Sequence, residues 1–279
     1  MKALFDKSSN SISRLITRKY STSFSLAVLL LGKNIRTHIY NIYGFVRLAD
    51  EIVDSFHNYN KKELLETFEA DYYKAMKDGI SLNPVLNAFQ HTVKIYNIDD
   101  ALVQAFLSSM KRDLYEAEYN TYEDYKDYIY GSADVVGLMC LKVFVNGDQK
   151  KYDALKPYAE KLGSAFQKVN FLRDIKTDFE ELNRSYFPNI SSSTLTYESK
   201  QEIIKDIESD FAIALQGIKQ LPANSKYGVY TAYVYYSKLL RKLKSTPYQE
   251  LMTKRVRVSD PVKIGLLAKS FATVKFNLL

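Results

Sequence analysis

The chain has 279 residues, 46% of them hydrophobic and 25% charged, with 39 basic against 32 acidic side chains and a formal charge of +7. That composition supports a sizeable core and excludes general disorder. The basic residues are scattered, and no basic stripe accompanies a nucleic-acid motif, so the positive balance suits an anionic ligand or an anionic membrane surface and no nucleic-acid partner is expected.

Ten glycines and six prolines, between amphipathic runs of lysine, glutamate, leucine and alanine, favour long helices over short strands. The single cysteine, Cys140, forms no internal disulfide and reads as a small buried apolar residue, which predicts a reducing, cytoplasmic setting.

In chain order, Ser21 to Leu31 can start a helix, and its apolar run Leu26 to Leu31, closed by Gly32, is too short to span a bilayer. Ile35 to Phe56 predicts a long helix, with Ile39, Ile42, Tyr43, Val46 and Val53 in apolar rows at helical spacing. Lys61 to Lys77 is amphipathic and stops at Asp78-Gly79; Asn83-Pro84 opens the next helix through Tyr96, and Asp99-Asp100 another through about Tyr115. Tyr122 to Phe144 reads as helical despite Gly131 and Gly137, and Lys150 to Leu182 as one long helix.

Asn183 to Ser193 predicts an ordered loop, because Pro188 and three serines stop helix propagation. Tyr197 to Leu221, Tyr227 to Leu243 and Pro261 to Ala272 complete the helices. No stretch is rich enough in Pro, Gly or Ser to be a linker. The expectation is an all-α fold, one domain over residues 1–279, with helices packed around a central cavity.

Two short segments carry the chemistry. RLADEIVDSF, Arg47 to Phe56, and VNFLRDIKTDFEE, Val169 to Glu181, each place two aspartates four residues apart. Asp50 and Asp54 therefore share one helical face, as do Asp174 and Asp178, and such like-charge pairs are usually solvated surface acids. Here their neighbours Leu48, Ile52, Val53, Phe171, Leu172 and Ile175 predict packed flanks. Hard divalent cations take oxygen ligands, and magnesium is commonly shared between one or two carboxylates, waters and substrate phosphates. Asn170 adds an oxygen one turn before Asp174, and Arg47 and Arg173 stand where cations can neutralise a diphosphate.

Four segments in order, STSFSLAVLLLG, IYGFVRLADEIVD, YIYGSADVVG and FQKVNFLRDIKTDFEELNRSYFP, resemble the squalene and phytoene synthase family, over about Tyr20 to Lys263. The resemblance implies an isoprenoid-synthase helical bundle and head-to-head coupling of two prenyl diphosphates through a cyclopropyl intermediate, with geranylgeranyl diphosphate giving phytoene for carotenoid synthesis. It implies that Asp50, Asp54, Asn170, Asp174 and Asp178 hold magnesium, with manganese as a substitute, and that NADPH is not needed for phytoene formation. It places Ser21, Ser23, Arg47, Gln167, Arg173, Arg184, Tyr236 and Arg255 at the diphosphates, and Tyr128 and Asp113 near the reacting carbons. One departure stands out: Asp134 in SADVVG occupies a position where the family commonly has glycine, and its carboxylate is expected to face solvent or cap a local kink.

Plainer readings compete at several of these positions. Ser21 and Ser23 suit helix caps, Arg184 and Tyr186 suit loop fixation, and TAYVYYSK, Thr231 to Lys238, suits a core. His38, His57 and His91 have no metal-ligand spacing. The enzyme rival to phytoene formation is a C30 squalene or dehydrosqualene synthase using farnesyl diphosphate, with Val28 and Tyr40 as positions able to set tunnel depth; the rival of another class is a non-catalytic binding or assembly protein. The C-terminal PVKIGLLAKSFATVKFNLL alternates lysines with apolar residues, so peripheral contact with the inner membrane surface is expected in addition to packing on its own domain.

Overall fold

The structure, a computed structural model, describes residues 1–115, 119, 121–180, 184–188, 190, 195–276 and 278. It is helical throughout, with no strand among the described residues. Helix α1, Lys2–Tyr20, was not signalled by apolar periodicity. Its contact face is made of small polar residues, Ser9, Ser13 and Thr17, all fully buried, and it packs on α3, Lys33–Asp54, and α5, Pro84–Tyr96. Polar atoms at this seam bond across helices: Asn41 donates to Asn10 at 2.8 Å and Asn87 to Asp6 at 2.9 Å, while the Ser13 hydroxyl has no hydrogen bond among the described residues.

Helix starts follow their caps. Ser21 opens α2, Thr22–Leu29, by accepting from the Phe24 N–H at 3.2 Å, and Asn60 does the same for α4, Lys61–Asp78. Gly79, at φ 74°, closes α4 in the left-handed region. Asn83 caps α5 and Asp99 caps α6, Asp100–Arg112. Helix α3 ends at Asp54, two residues before the predicted end, so Phe56 lies in the following turn. Helix α6 likewise stops at Arg112, short of Tyr115.

The predicted Tyr122–Phe144 helix is helical but not uniform. It runs as α7, Tyr122–Ile129, a π-helical turn over Tyr130–Asp134, and α8, Val135–Phe144. Gly131 explains the close seat of this turn on α6: a methyl group there would lie 1.9 Å from the Ser109 hydroxyl oxygen. Helix α9, Gln149–Glu180, packs on α8 and antiparallel to α10, Tyr197–Gln220. The last two residues of the predicted Lys150–Leu182 helix, residues 183, 189 and 191–193 of the predicted loop, and residue 194 lie outside the described residues.

After α10 come α11, Ala223–Ser245, a short α12, Tyr248–Leu251, and α13, Asp260–Lys275, which rests on α11. Two apolar clusters result. One joins α3, α5, α6 and α8; the other joins the second half of α9 to α10 and α11. Between them lies a cavity of about 610 Å³ whose walls come from α2, α3, the π turn, α8, α9, α10 and α11.

Candidate active site

At one end of this cavity the walls are polar. Asp50 and Asp54 stand on the last turns of α3, and Asn170, Arg173 and Asp174 on the second half of α9; all five border the same space. The acidic faces predicted from spacing are therefore brought to one cavity. Asp178, one turn past Asp174, lies just outside the lining, yet the charges of Asp174, Asp54 and Arg184 all act on it.

Arginines from three parts of the chain hold the acids. The Arg184 guanidinium donates to Asp54 Oδ1 at 2.9 Å and to the Asp113 carbonyl at 2.8 Å, and it reaches the Tyr186 hydroxyl at 3.3 Å. Arg255 sets its Nε 2.6 Å from Asp174 Oδ1 and donates to Oδ2 at 3.1 Å. Arg173 also clasps Asp174, through Nε at 2.9 Å and a second N–H. On α3, Arg47 pairs with Glu51, lies 4.0 Å from Asp50 and covers the Tyr20 ring at 4.6 Å.

These pairings leave two carboxylates under-compensated. Enclosure away from bulk water, together with the Asp54 charge, pushes Asp50 up to about 7. Enclosure and the nearby Asp174 and Asp54 push Asp178 up to about 8. Oxygen donors crowded to this degree suit a hard divalent cation, which would relieve the repulsion. Among the described residues no three acidic, histidine or cysteine side chains are grouped tightly enough to enclose an ion alone. That arrangement fits an ion shared with phosphate oxygens better than a protein cage.

Deeper in, the Tyr128 hydroxyl donates to Asp113 Oδ2 at 3.0 Å. Burial pushes Asp113 up to about 7 against the opposing pull of Arg184, and its other oxygen has no hydrogen bond among the described residues. Tyr128 is raised well above the ordinary phenol range by burial and by Asp113. Tyr236 donates to Asn170 Oδ1 at 3.2 Å, and Gln167 reaches Ser132 at 3.5 Å.

The remaining sequence candidates divide. Ser21 is both the α2 cap and part of the cavity wall, whereas Ser23 is not part of the lining. Val28 lines the cavity; Tyr40 does not, and packs in the core behind it. Asp134 neither faces solvent nor caps a kink: it is buried in the π turn, where Ser164 donates to it at 2.9 Å, and burial pushes it up to about 7. The buried network that Asp134 adjoins, Lys168 with Asp210 at 2.7 Å, joins α9 to α10.

An aromatic wall went unread in the sequence. Tyr186 stacks on Phe171 at 4.0 Å and on Tyr128 at 5.3 Å, and Phe166 stacks on Tyr236 at 4.1 Å. Tyr186 sits beside Arg184 in NRSYFP, and only the fold shows its ring reaching the cavity. Beyond these rings the walls become apolar, through Val28, Ile39, Phe144, Leu155 and Leu221.

Comparison with known proteins supplies the frame. The squalene/phytoene synthase family matches residues 17–261. The chain is 27% identical to a 15-cis-phytoene synthase of Synechocystis, over 91% of this chain and 81% of the relative, and 26% identical to phytoene synthase 2 of Solanum lycopersicum, over 92% and 88%. A solved dehydrosqualene synthase shares the fold at a TM-score of 0.83 with 21% identity, covering 97% of this chain and 98% of the other. A squalene synthase from Alicyclobacillus acidocaldarius follows at 0.74, also 21% identical, covering 87% and 96%. With a polar, arginine-rich mouth opening into an apolar cavity, and with the family match spanning most of its length, the chain belongs to the squalene/phytoene synthase family of prenyltransferase-type enzymes, which act on prenyl diphosphates.

Proposed function

We propose that this protein, acting as one domain over residues 1–279, joins two geranylgeranyl diphosphates head to head, 1′ to 1, through a cyclopropyl diphosphate to phytoene, releasing diphosphate. The observation that carries the reading is the meeting of the α3 and α9 acidic faces at the mouth of a cavity that continues into apolar walls. The curated names of the relatives support the C20 substrate.

In this reading Asp50, Asp54, Asn170, Asp174 and Asp178 hold magnesium, which when bound neutralises charge on the departing diphosphate. Arg47, Arg173, Arg184 and Arg255 orient the diphosphate oxygens. Asp113, held by Tyr128 through one oxygen, has Arg184 3.9 Å from the other, which makes no hydrogen bond among the described residues and serves as the proton acceptor near the reacting carbons. The Phe166 and Tyr186 rings, the latter backed by Phe171 stacked on it, exclude water and offer their faces to passing positive charge.

Product chromatography after offering C15 and C20 diphosphates separately with magnesium tests the reading. A C40 hydrocarbon from the C20 substrate is expected. Coupling of the C15 substrate alone would replace phytoene with a C30 product, and no diphosphate release under any divalent metal would overturn the condensation itself.

Contact with an anionic bilayer forms part of the same proposal. No helix among the described residues is long and apolar enough to cross a membrane. On α13, Ile264 and Phe271 are exposed near Lys269 and Lys275, as a peripheral contact needs. Absence of co-sedimentation with anionic liposomes would remove it.

A further inference from the structure

Within the proposed head-to-head condensation, the far end of the cavity must decide how long a prenyl chain can be. Tyr158 lies on α9 and lines the cavity, 16 positions before Asp174, which is about 24 Å along the helix axis. Measured from Asn170, 12 positions away, the separation is about 18 Å. An extended isoprene unit advances about 5 Å along its carbon chain. At about 5 Å per unit the fourth unit spans about 15–20 Å, so a chain whose first carbon sits level with Asn170, with its diphosphate lying outward among the aspartates, brings its fourth unit, and not its third, to the level of Tyr158.

The ring has a defined seat on the neighbouring helix. Gly217 of α10 also lines the cavity, and a methyl group on residue 217 would lie 2.3 Å from the Tyr158 Cβ and 2.8 Å from its Cγ. The stem of Tyr158 is thus pressed against bare backbone of the neighbouring helix. The ring edge lies there too, since the same methyl group would be 3.3 Å from Tyr158 Cδ2, so the bare face of Gly217 seats the ring as well as its stem. Leu155, one turn earlier, and Leu221 of α10 close the space beyond.

We propose that Tyr158, seated against Gly217, is the length gauge of the prenyl site: its ring meets the fourth isoprene unit and sets the balance between C20 and C15 substrates. Hydrophobic pockets discriminate by about 10- to 200-fold per methylene gained or lost. A ring enlarged or removed at this level should shift that balance by at least about tenfold.

The test uses the full chain and two readouts: turnover of C15 and C20 diphosphates, and calorimetric affinity for their unreactive thiolodiphosphate analogues. Tyr158→Trp should lower the C20-to-C15 affinity ratio at least about tenfold relative to the unaltered protein, and Tyr158→Ala should raise it and admit a C25 analogue. Tyr158→Leu supplies an intermediate size if the tryptophan variant fails to fold by circular dichroism, and its ratio should also rise. Unchanged ratios in the folded variants overturn the gauge, even if the unaltered protein makes phytoene. Absence of a C40 product with shifted affinity ratios instead overturns the proposed reaction and leaves the gauge standing.

Discussion

On α3 the distant arginine that meets the acidic pair is Arg184, whose side chain is 7% exposed, whereas on α9 the corresponding partner is Arg255, 45% exposed. The two D-x-x-x-D faces are the same in sequence and are compensated differently in the fold. On α3 it is the second acid, Asp54, that the arginine holds, and the first, Asp50, is left with a raised proton affinity. On α9 the first acid, Asp174, is held twice, and the second, Asp178, is left. Each face thus offers one carboxylate fixed by arginine and one whose charge calls for a cation. The lesson is that spacing creates the pair, but distant chain decides which member is held by hydrogen bonds; among the described residues Asp50 has only Arg47 at 4.0 Å.

Substituting the less compensated acid should produce the largest effect. Asp50→Asn is expected to lower magnesium-dependent diphosphate release by at least about 10²-fold, as loss of a group stabilising a charged leaving group does. Without metal, its thermal transition should stay level or rise, since one like charge is gone. Near-normal release would place the cation elsewhere. The buried arginine comes next: Arg184→Gln strands Asp54 and the Asp113 carbonyl, and should cost about 3–5 kcal/mol in urea unfolding.

Asp134→Asn separates the cavity mouth from the buried π turn. Burial raises Asp134 in the folded chain to about 7 from 3.8, so its stabilising protonation is complete below the unfolded value and is lost as pH rises through the folded one. The asparagine variant should therefore match the unaltered protein near pH 4 and exceed it by about 1–2 kcal/mol above pH 7, read from unfolding at both pH values. The smallest expected effect is that of Arg255→Gln. Its exposed pair should contribute less than about 1 kcal/mol to stability, while KM for the diphosphate rises more than kcat falls. An Arg255 variant as unstable as the Arg184 one would erase the contrast between the two faces.

Much of the helical framework was legible because its signals are local. Caps at Asn60, Asn83, Asp99 and Ser21 act on N–H groups two or three residues away, and the apolar rows of α3 repeat at helical spacing. Helix α1 escaped because Ser9, Ser13 and Thr17 pack closely without being apolar. Asp134 was misread because its partner, Ser164, is 30 positions away on another helix.

By itself, then, the sequence determined the all-α fold, the two acidic faces and the family pattern, all expressed within a few turns of helix. Tertiary structure alone decided that Arg184 meets Asp54 across 130 positions and Arg255 meets Asp174 across 81. It also decided that Tyr186 joins the aromatic wall and that Tyr158 rests on Gly217. The physical reason is range: hydrogen bonds and periodicity along a helix are written in neighbouring residues, while ion-pair assignment and cavity depth depend on how whole helices pack.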